Sequence, residues 1–394
     1  MLAWRACRVC LLAGLAASVG SAGAVPYIPA DGAQIIERLP RRSDPQQLRL
    51  QRLRQQLSAA PGNLPVAVTL AQAYIETSRR EGDPRYQGYA QAVLMPWWDQ
   101  NNPPVPVRML RATLRQSMHQ FASALRDLDA LLKIDGGNAQ AWLTRATVLQ
   151  VQGRYQDARA SCARLFRLTD PLVAQTCMYG VASLNGEAAP SYAALRLALR
   201  SHADAEPVIR VWTLTVLADM AMRLGQMEAA EASYRQALAL DAADSYLLAA
   251  YADCLLEQGR APEVRSLLDG KLRIDALLLR YALALQALNA PATRDQIALL
   301  QTRFDAAARR GDTVHLREQS RFELELMKRP ERALQLAQQN WAVQREPADA
   351  QILLAAAGAA HDRAAAEPVL AWLKVSRLED RQVARRVQAL GAAR

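Results

Sequence analysis

Side chains that commonly carry out chemistry are few in this chain, and their spacing matches no catalytic or metal-binding pattern. The histidines are His119, His202, His315 and His361. None is paired with another histidine or a cysteine at the spacing that zinc sites use, and the pair His315 and Glu318 is more typical of a solvated helix face. A glycine-rich phosphate loop and a Gly-x-Ser-x-Gly nucleophile turn are also absent from the sequence. We therefore predict a protein that is not an enzyme and that holds no metal and no cofactor.

The formal net charge of +10 is not arranged as in nucleic-acid-binding proteins. Lysine occurs only at Lys133, Lys271, Lys328 and Lys374, and arginine supplies the rest of the positive charge. Acidic residues are interspersed throughout, and the basic segments lack interleaved aromatic residues. Abundant arginine and alanine are typical of a GC-rich bacterial genome, so no nucleic-acid partner is predicted.

The N-terminus has the layout of a bacterial export signal. Two arginines precede the apolar segment 9–19, and positions 22–24 supply the small residues that a signal peptidase requires. We predict a signal peptide at 1–24, cleaved after Ala24, and a periplasmic or secreted mature protein with no integral membrane span. The alternative of an uncleaved anchor is less favoured, because the apolar segment is short against the roughly twenty residues that cross a bilayer.

The mature chain repeats itself every 34 residues. The clearest repeats are 105–138, 139–172, 211–244 and, more weakly, 245–273. A small residue recurs early in each repeat, at Ala112, Ala146, Ala218 and Ala252. A turn residue follows it, and this residue is glycine in three of the four repeats. A period of this length is typical of stacked helix pairs, each of which buries its apolar face only against its neighbours.

These repeats resemble the tetratricopeptide repeat (TPR) family. In 139–172 the resemblance is carried by Trp142, Ala146, Leu149, Gly153, Tyr155, Ala158, Leu165 and Phe166. In 211–244 it is carried by Leu217, Ala218, Gly225, Ala230, Tyr234, Ala237 and Leu238. The resemblance implies an all-α fold, a right-handed α-solenoid of stacked antiparallel helix pairs with several degenerate repeats. Its first helices would line a concave groove, and Leu165 and Phe166 would seal the contact between neighbouring pairs.

Proline and glycine positions predict the organisation around these repeats. We expect an N-terminal arm and capping helix at 25–63, the TPR-like array at 64–376, and a C-terminal capping helix and tail at 377–394. A loop is expected at 96–104. The apolar residues of the last helix share one rough face, at Leu378, Val383, Val387 and Leu390. A polar outer face on this helix would indicate a true cap and a monomer, whereas an exposed apolar face would indicate end-to-end assembly.

The resemblance also places candidate partner-binding residues on the groove faces of the first helices. They are Met109, Thr113, Gln116, Leu143, Thr147, Gln150, Thr215, Asp219, Met222, Ala249 and Asp253. The branch of the family that clamps C-terminal carboxylates uses lysines and asparagines there, and this chain has neither, which argues against that role. We predict a scaffold or adaptor for a protein or peptide partner of the cell envelope. The alternative is a self-associating structural subunit of an envelope complex.

A second candidate surface lies near the loop expected at 96–104, beside its prolines. It comprises Tyr86, Tyr89, Trp97 and Trp98. Tyrosine and tryptophan often anchor protein interfaces, so these residues are candidates for partner binding. The alternative is that they pack the loop against the first repeat.

Two further pairs have open interpretations. Cys162 falls in the second helix of one repeat and Cys177 in the first helix of the next, and such helices pack together. A disulfide in an oxidising compartment is one interpretation, and two small buried thiols are the other. Arg111 and Arg145 stand where the commonest form of the motif has leucine. One interpretation is a basic ladder in the groove. The other is that the alkyl parts of the two side chains pack against the helices while their guanidinium groups pair with acidic side chains.

Overall fold

A computed structural model of the chain describes Asp31 and residues 44–392. The predicted signal peptide at 1–24 and most of the predicted arm lie outside the described residues. The chain divides into two compact units, 1–49 and 50–394, and the contacts discussed below belong to the second. Within the described residues all regular structure is helical, and no helix has the length and apolar character needed to cross a membrane.

Nine consecutive helix pairs follow the first helix, and a single helix ends the described chain. The helices are α1 (Pro45–Ala59), α2 (Leu64–Glu81), α3 (Arg85–Trp98), α4 (Val105–Ser117), α5 (Phe121–Ile134), α6 (Ala139–Val151), α7 (Tyr155–Leu165), α8 (Pro171–Ala182), α9 (Ala188–Ser201), α10 (Pro207–Leu224), α11 (Met227–Leu240), α12 (Ser245–Glu257), α13 (Ala261–Leu268), α14 (Asp275–Ala287), α15 (Thr293–Arg309), α16 (Leu316–Arg321), α17 (Pro330–Val343), α18 (Pro347–Ala359), α19 (Glu367–Ser376) and α20 (Arg381–Ala392). The prediction of an all-α solenoid of stacked helix pairs is confirmed.

The pair α6 and α7 shows how the sequence produces this arrangement. The Asn138 side chain accepts a hydrogen bond from the backbone N–H of Ala141 and caps the start of α6. Ala146 and Ala158 are almost completely buried, so the two helices approach closely. Gly153 has a φ of 72°, which lets the chain turn between the helices without steric cost.

Local details of the array differ from the expectations. Leu165 is fully buried, but Phe166 is 50% exposed because α7 ends at Leu165 and Phe166 lies in the following turn. The loop expected at 96–104 begins later, since α3 includes Pro96 and continues to Trp98. A π-helical turn, Phe322–Leu326, extends α16 and was not predicted.

The C-terminal helices fold back onto the middle of the array. The backbone N–H of Arg345 donates to the carbonyl oxygen of Val151 at 2.7 Å. The Asn185 side chain donates to the Ser376 carbonyl oxygen at 2.8 Å, across 191 positions of sequence. At the far end, Arg385 pairs with Glu257 at 3.0 Å. The last repeats therefore contact the middle of the array, in addition to the contacts that each pair makes with its neighbours.

Turn glycines of the middle repeats receive these C-terminal side chains. A Cβ on Gly153 would lie 3.0 Å from the Trp372 indole nitrogen, and one on Gly186 would lie 3.1 Å from the Cβ of Arg377. A Cβ on Gly259, by contrast, would meet no atom within 4 Å. The glycines thus serve both the turn and the close approach of a distant segment.

Gly186→Ala is expected to destabilise the protein more than Gly259→Ala does. Both residues have a positive φ, 79° and 71°, so each substitution costs about 1–2 kcal/mol for the left-handed conformation. Only at Gly186 must Arg377 also move. Urea unfolding followed by circular dichroism compares the two variants. Equal effects would show that the packing of the C-terminal segment on this turn contributes little.

The last helix, α20, packs apolar residues on the preceding helices and two of its arginines on the middle repeats. Val383 and Leu390 are buried against the preceding helices. Gln388 is exposed, whereas Arg381 lies against the turn at Gly225 and Arg385 pairs with Glu257. The choice between a C-terminal cap and end-to-end assembly stays a prediction.

Candidate functional site

The first helices of seven successive pairs, from α6 to α18, enclose a cavity of about 1050 Å³. The predicted groove residues that line it are Leu143, Thr147, Gln150, Asp219, Met222, Ala249 and Asp253. Met109, Thr113, Gln116 and Thr215 are not among the lining residues. Met109 packs in the small core cluster around Leu128 and Leu131, and Thr215 is buried with its hydroxyl donating to the Val211 carbonyl oxygen. The cavity begins one repeat later than the family pattern implies.

The cavity lining is mixed in charge. Its neutral residues include Leu143, Thr147, Gly180, Trp212 and Val216, from α6, α8 and α10. Its charged residues come mostly from later helices and are Asp219, Asp253, Glu257, Glu318, Glu325, Glu346 and Asp380 with Arg223, Arg280, Arg317, Arg321 and Arg386. The seven carboxylates outnumber the five arginines, so the positive charge of the whole chain is not concentrated in this cavity.

Asp253 organises one side of the cavity. Its carboxylate accepts hydrogen bonds from Arg280 at 2.5 Å and from Arg321 at 2.6 Å, so α12, α14 and α16 are joined through one side chain. Burial acts to raise the pKa of Asp253, but the two arginines outweigh it and hold this pKa below its ordinary value. Asp253 therefore stays ionised and fixes both guanidinium groups in place.

Asp219 holds an aromatic ring in the cavity. Its carboxylate accepts hydrogen bonds from the hydroxyls of Tyr234 at 2.7 Å and Tyr246 at 3.0 Å. Burial raises the pKa of Asp219, although these hydrogen bonds and Arg223 oppose the shift. Tyr246 remains 62% exposed, so its ring is available to a ligand. The sequence analysis missed Tyr246; an aromatic residue in the first turn of a first helix was the available signal.

A third charged cluster joins α16 to α18. Arg317 lies 2.8 Å from Glu346 and 3.3 Å from the completely buried Asp349. Asp349 also accepts hydrogen bonds from the Asn340 side chain at 2.7 Å and from the backbone N–H of Glu346 at 2.7 Å. Burial raises the pKa of Asp349 from 3.8 to about 6, although Arg317 opposes this change.

This shift predicts the sign of a pH effect. A pKa raised in the folded state means that folding favours proton uptake, so the cost of the buried Asp349 charge applies above pH 6 and is relieved between pH 6 and 4. Relative to Asp349→Asn, the native protein should gain about 1–3 kcal/mol of stability as the pH falls from 7 to 4.5. Urea unfolding of both proteins at each pH measures the difference. A constant difference would contradict the raised pKa.

The aromatic residues of α2 and α3 form a cluster that does not line the cavity. Tyr86 and Tyr89 pack with Tyr74, with ring centroids 5.6–5.9 Å apart. Trp97 is half-buried in the same core cluster. Trp98 is buried, and the Arg115 guanidinium lies 5.7 Å from its ring centroid. Of the four predicted residues only Tyr89 is largely exposed, at 49%, so a partner would meet mainly this ring.

The structure shows which side chains the predicted cysteine pair and the two repeat arginines contact. The sulfurs of Cys162 and Cys177 are bonded at 1.98 Å and join α7 to α8. Cys254 is a buried free thiol whose pKa is raised by burial to about 11.

Arg111 pairs with Asp127 at 2.6 Å and Arg145 with Asp129 at 2.8 Å. Both pairs lie outside the cavity lining, so the two arginines do not form a basic ladder in the groove.

The described part of the chain contains no cluster of three or more His, Cys, Asp or Glu side chains placed to hold a metal ion. Several charged groups of the cavity are instead engaged with one another or with tyrosine hydroxyls, among them Asp219, Asp253 and Arg317. This arrangement suits recognition of a ligand by hydrogen bonds and ring contacts.

Comparison with known proteins identifies the repeat type. Residues 213–244, which include most of α10, all of α11 and the turn after it, match the family described as tetratricopeptide repeat. The matched segment is 32 residues of the chain, and it is similar to one tetratricopeptide repeat. No curated protein sequence matches the chain significantly.

Several solved structures are similar to the chain. Yeast Tom70 is 11% identical, with a TM-score of 0.40 over 88% of this chain and 84% of that chain. The human IFIT1 dimer with m7Gppp-AAAA is 17% identical, with a TM-score of 0.44 over 89% and 86%. A tetratricopeptide repeat protein from Parabacteroides merdae is 11% identical, with a TM-score of 0.27 over 79% and 92%. At these identities the likeness concerns the fold alone.

Proposed function

We propose that the protein is a non-catalytic scaffold that binds an extended segment of a protein partner inside its solenoid. The observation that carries this proposal is the cavity of about 1050 Å³ lined by seven successive first helices. Its volume is at the upper end of small-molecule pockets, and its lining combines mostly neutral residues from α6, α8 and α10 with charged residues from later helices. Rigid stacked helices present such groups at low ordering cost.

We further propose that the protein acts in the bacterial cell envelope, as a periplasmic or secreted adaptor. Two observations support this location. The N-terminal residues have the pattern of an export signal. The Cys162–Cys177 bond is of a kind that persists in oxidising compartments and is rare in the cytosol.

Site-specific photocrosslinking in cells tests the proposal. A photoreactive phenylalanine replaces Tyr246, whose ring is open to the cavity, and in a matched control it replaces Leu197, which is 58% exposed on α9 and does not line the cavity. We expect position 246 to capture one recurring envelope protein that position 197 does not capture. Links only between copies of this chain would instead support the self-associating structural subunit.

A further inference from the structure

Part of the cavity wall presents hydrogen-bond donors that have no acceptor. We call Tyr155 and Arg223, both of which line the cavity, the donor floor. Arg223 Nη2 donates to Ser183 Oγ at 2.7 Å, but the buried Nε–H of the same guanidinium has no partner in the described residues. Tyr155 is 4% exposed, and its hydroxyl also lacks a partner there.

The missing partner must be an acceptor. A guanidinium group can only donate hydrogen bonds, and a buried donor without an acceptor is unfavourable. Arg386, which lines the same cavity from α20, forms no ion pair or hydrogen bond within residues 44–392. Two arginines of the cavity are therefore without a bonded carboxylate, whereas Arg280, Arg317 and Arg321 each have at least one.

The neighbouring carboxylates do not fill this role. Asp219 is occupied by two tyrosine hydroxyls. Asp380 accepts hydrogen bonds from the backbone N–H groups of Gln382 at 2.8 Å and Val383 at 3.0 Å, and from Gln351 at 3.2 Å. Both carboxylates act on the charge of Arg223 through space without bonding to it. The hydrogen-bonding capacity that remains on the Arg223 guanidinium is that of a donor, and the Tyr155 hydroxyl can donate as well.

We propose that the donor floor receives the carboxylate of an aspartate or glutamate side chain of the bound segment. The Nε–H of Arg223 would supply the charged donor and Tyr155 a hydroxyl donor, both to the oxygens of that carboxylate. This inference rests on the proposed function and adds to it the chemistry of the partner. The preferred partner segment is acidic, although the carboxylates of the cavity outnumber its arginines.

The probes are two fluorescent octapeptides with acetylated and amidated ends, one of alternating Ala and Glu and one of alternating Ala and Gln. Fluorescence anisotropy with the full mature protein measures binding, and the blocked ends exclude recognition of a terminal carboxylate. We expect the Glu peptide to bind about tenfold or more tightly than the Gln peptide, because hydrogen bonds to a charged group are the stronger ones. Equal binding of the two peptides, or no binding of either, would overturn the carboxylate proposal.

Three variants locate the effect. Arg223→Gln should remove the preference for the Glu peptide, whereas Arg265→Gln, at an exposed arginine of α13 outside the cavity, should leave it unchanged. Tyr155→Phe should weaken binding of the Glu peptide without lowering the melting temperature, because the deleted hydroxyl has no partner within the described protein. A lower melting temperature with unchanged binding would show that this hydroxyl has a structural role only, and would remove Tyr155 from the proposal.

The two proposals fail in different ways. Capture of a partner from position 246 together with equal peptide binding would leave the scaffold function standing and reject the acidic segment. Absence of any captured partner, together with a clear preference for the Glu peptide, would support the acidic subsite and count against a protein partner in cells.

Discussion

Asp127→Asn should lower the free energy of unfolding by about 3–5 kcal/mol, because it removes the carboxylate that compensates the buried charge of Arg111. Asp127 accepts hydrogen bonds from Arg111 at 2.6 and 2.9 Å and from Arg115 at 2.6 Å. The side chains of Arg111 and Asp127 are each only 7% exposed. The variant leaves the Arg111 charge in a poorly solvated site between α4 and α5.

Asp129→Asn is the matched control on the same helix. Asp129 pairs with Arg145 at 2.8 Å, but its side chain is 51% exposed, so the loss should be below about 1 kcal/mol. Urea unfolding followed by circular dichroism measures both variants. Similar small losses for the two would show that water reaches Arg111 and that the pair is not buried in solution.

The second large effect concerns the disulfide. Replacing Cys162 and Cys177 together by alanine should cost about 3 kcal/mol, since the bond closes a loop of 15 positions and restricts the unfolded chain. Reductant should lower the urea midpoint of the native protein towards that of the double variant, and it should leave the double variant unchanged. The remaining thiol, Cys254, is present in both proteins and serves as an internal control.

The outcome with reductant discriminates between the two interpretations of these cysteines. If the native protein has the same midpoint with and without reductant, and its thiols react with a thiol reagent after unfolding, the residues are free thiols and the stabilisation is absent. Mass spectrometry of the alkylated unfolded protein counts the free thiols directly.

The repeat pattern was sufficient to predict the helix pairs. Ala146, Ala158 and Gly153 specify a close pair and its turn from positions less than one period apart, and the structure confirms this arrangement. The same neighbour relation brought Cys162 next to Cys177. It also placed Leu143, Gln150, Asp219 and Asp253 on faces that line one cavity.

Structural features that depart locally from the repeat could not be predicted from the repeat pattern. The helical extension through Pro96 and the π-helical turn at Phe322–Leu326 are two such departures. Tyr246 lies outside the pattern of predicted groove residues, and its place in the cavity depends on its hydrogen bond to Asp219, 27 positions away.

The sequence by itself determined the class of fold, the stacking of neighbouring pairs and the absence of recognisable catalytic motifs, because each of these depends on residues within about one repeat of one another. Only the tertiary structure decided that the last repeats close on Gly153 and Gly186, and that Arg223 of α10 and Arg386 of α20 line one cavity. The physical reason is that each helix pair rotates slightly against the next one. These rotations add up over several pairs, and their sum brings segments 191 positions apart into contact.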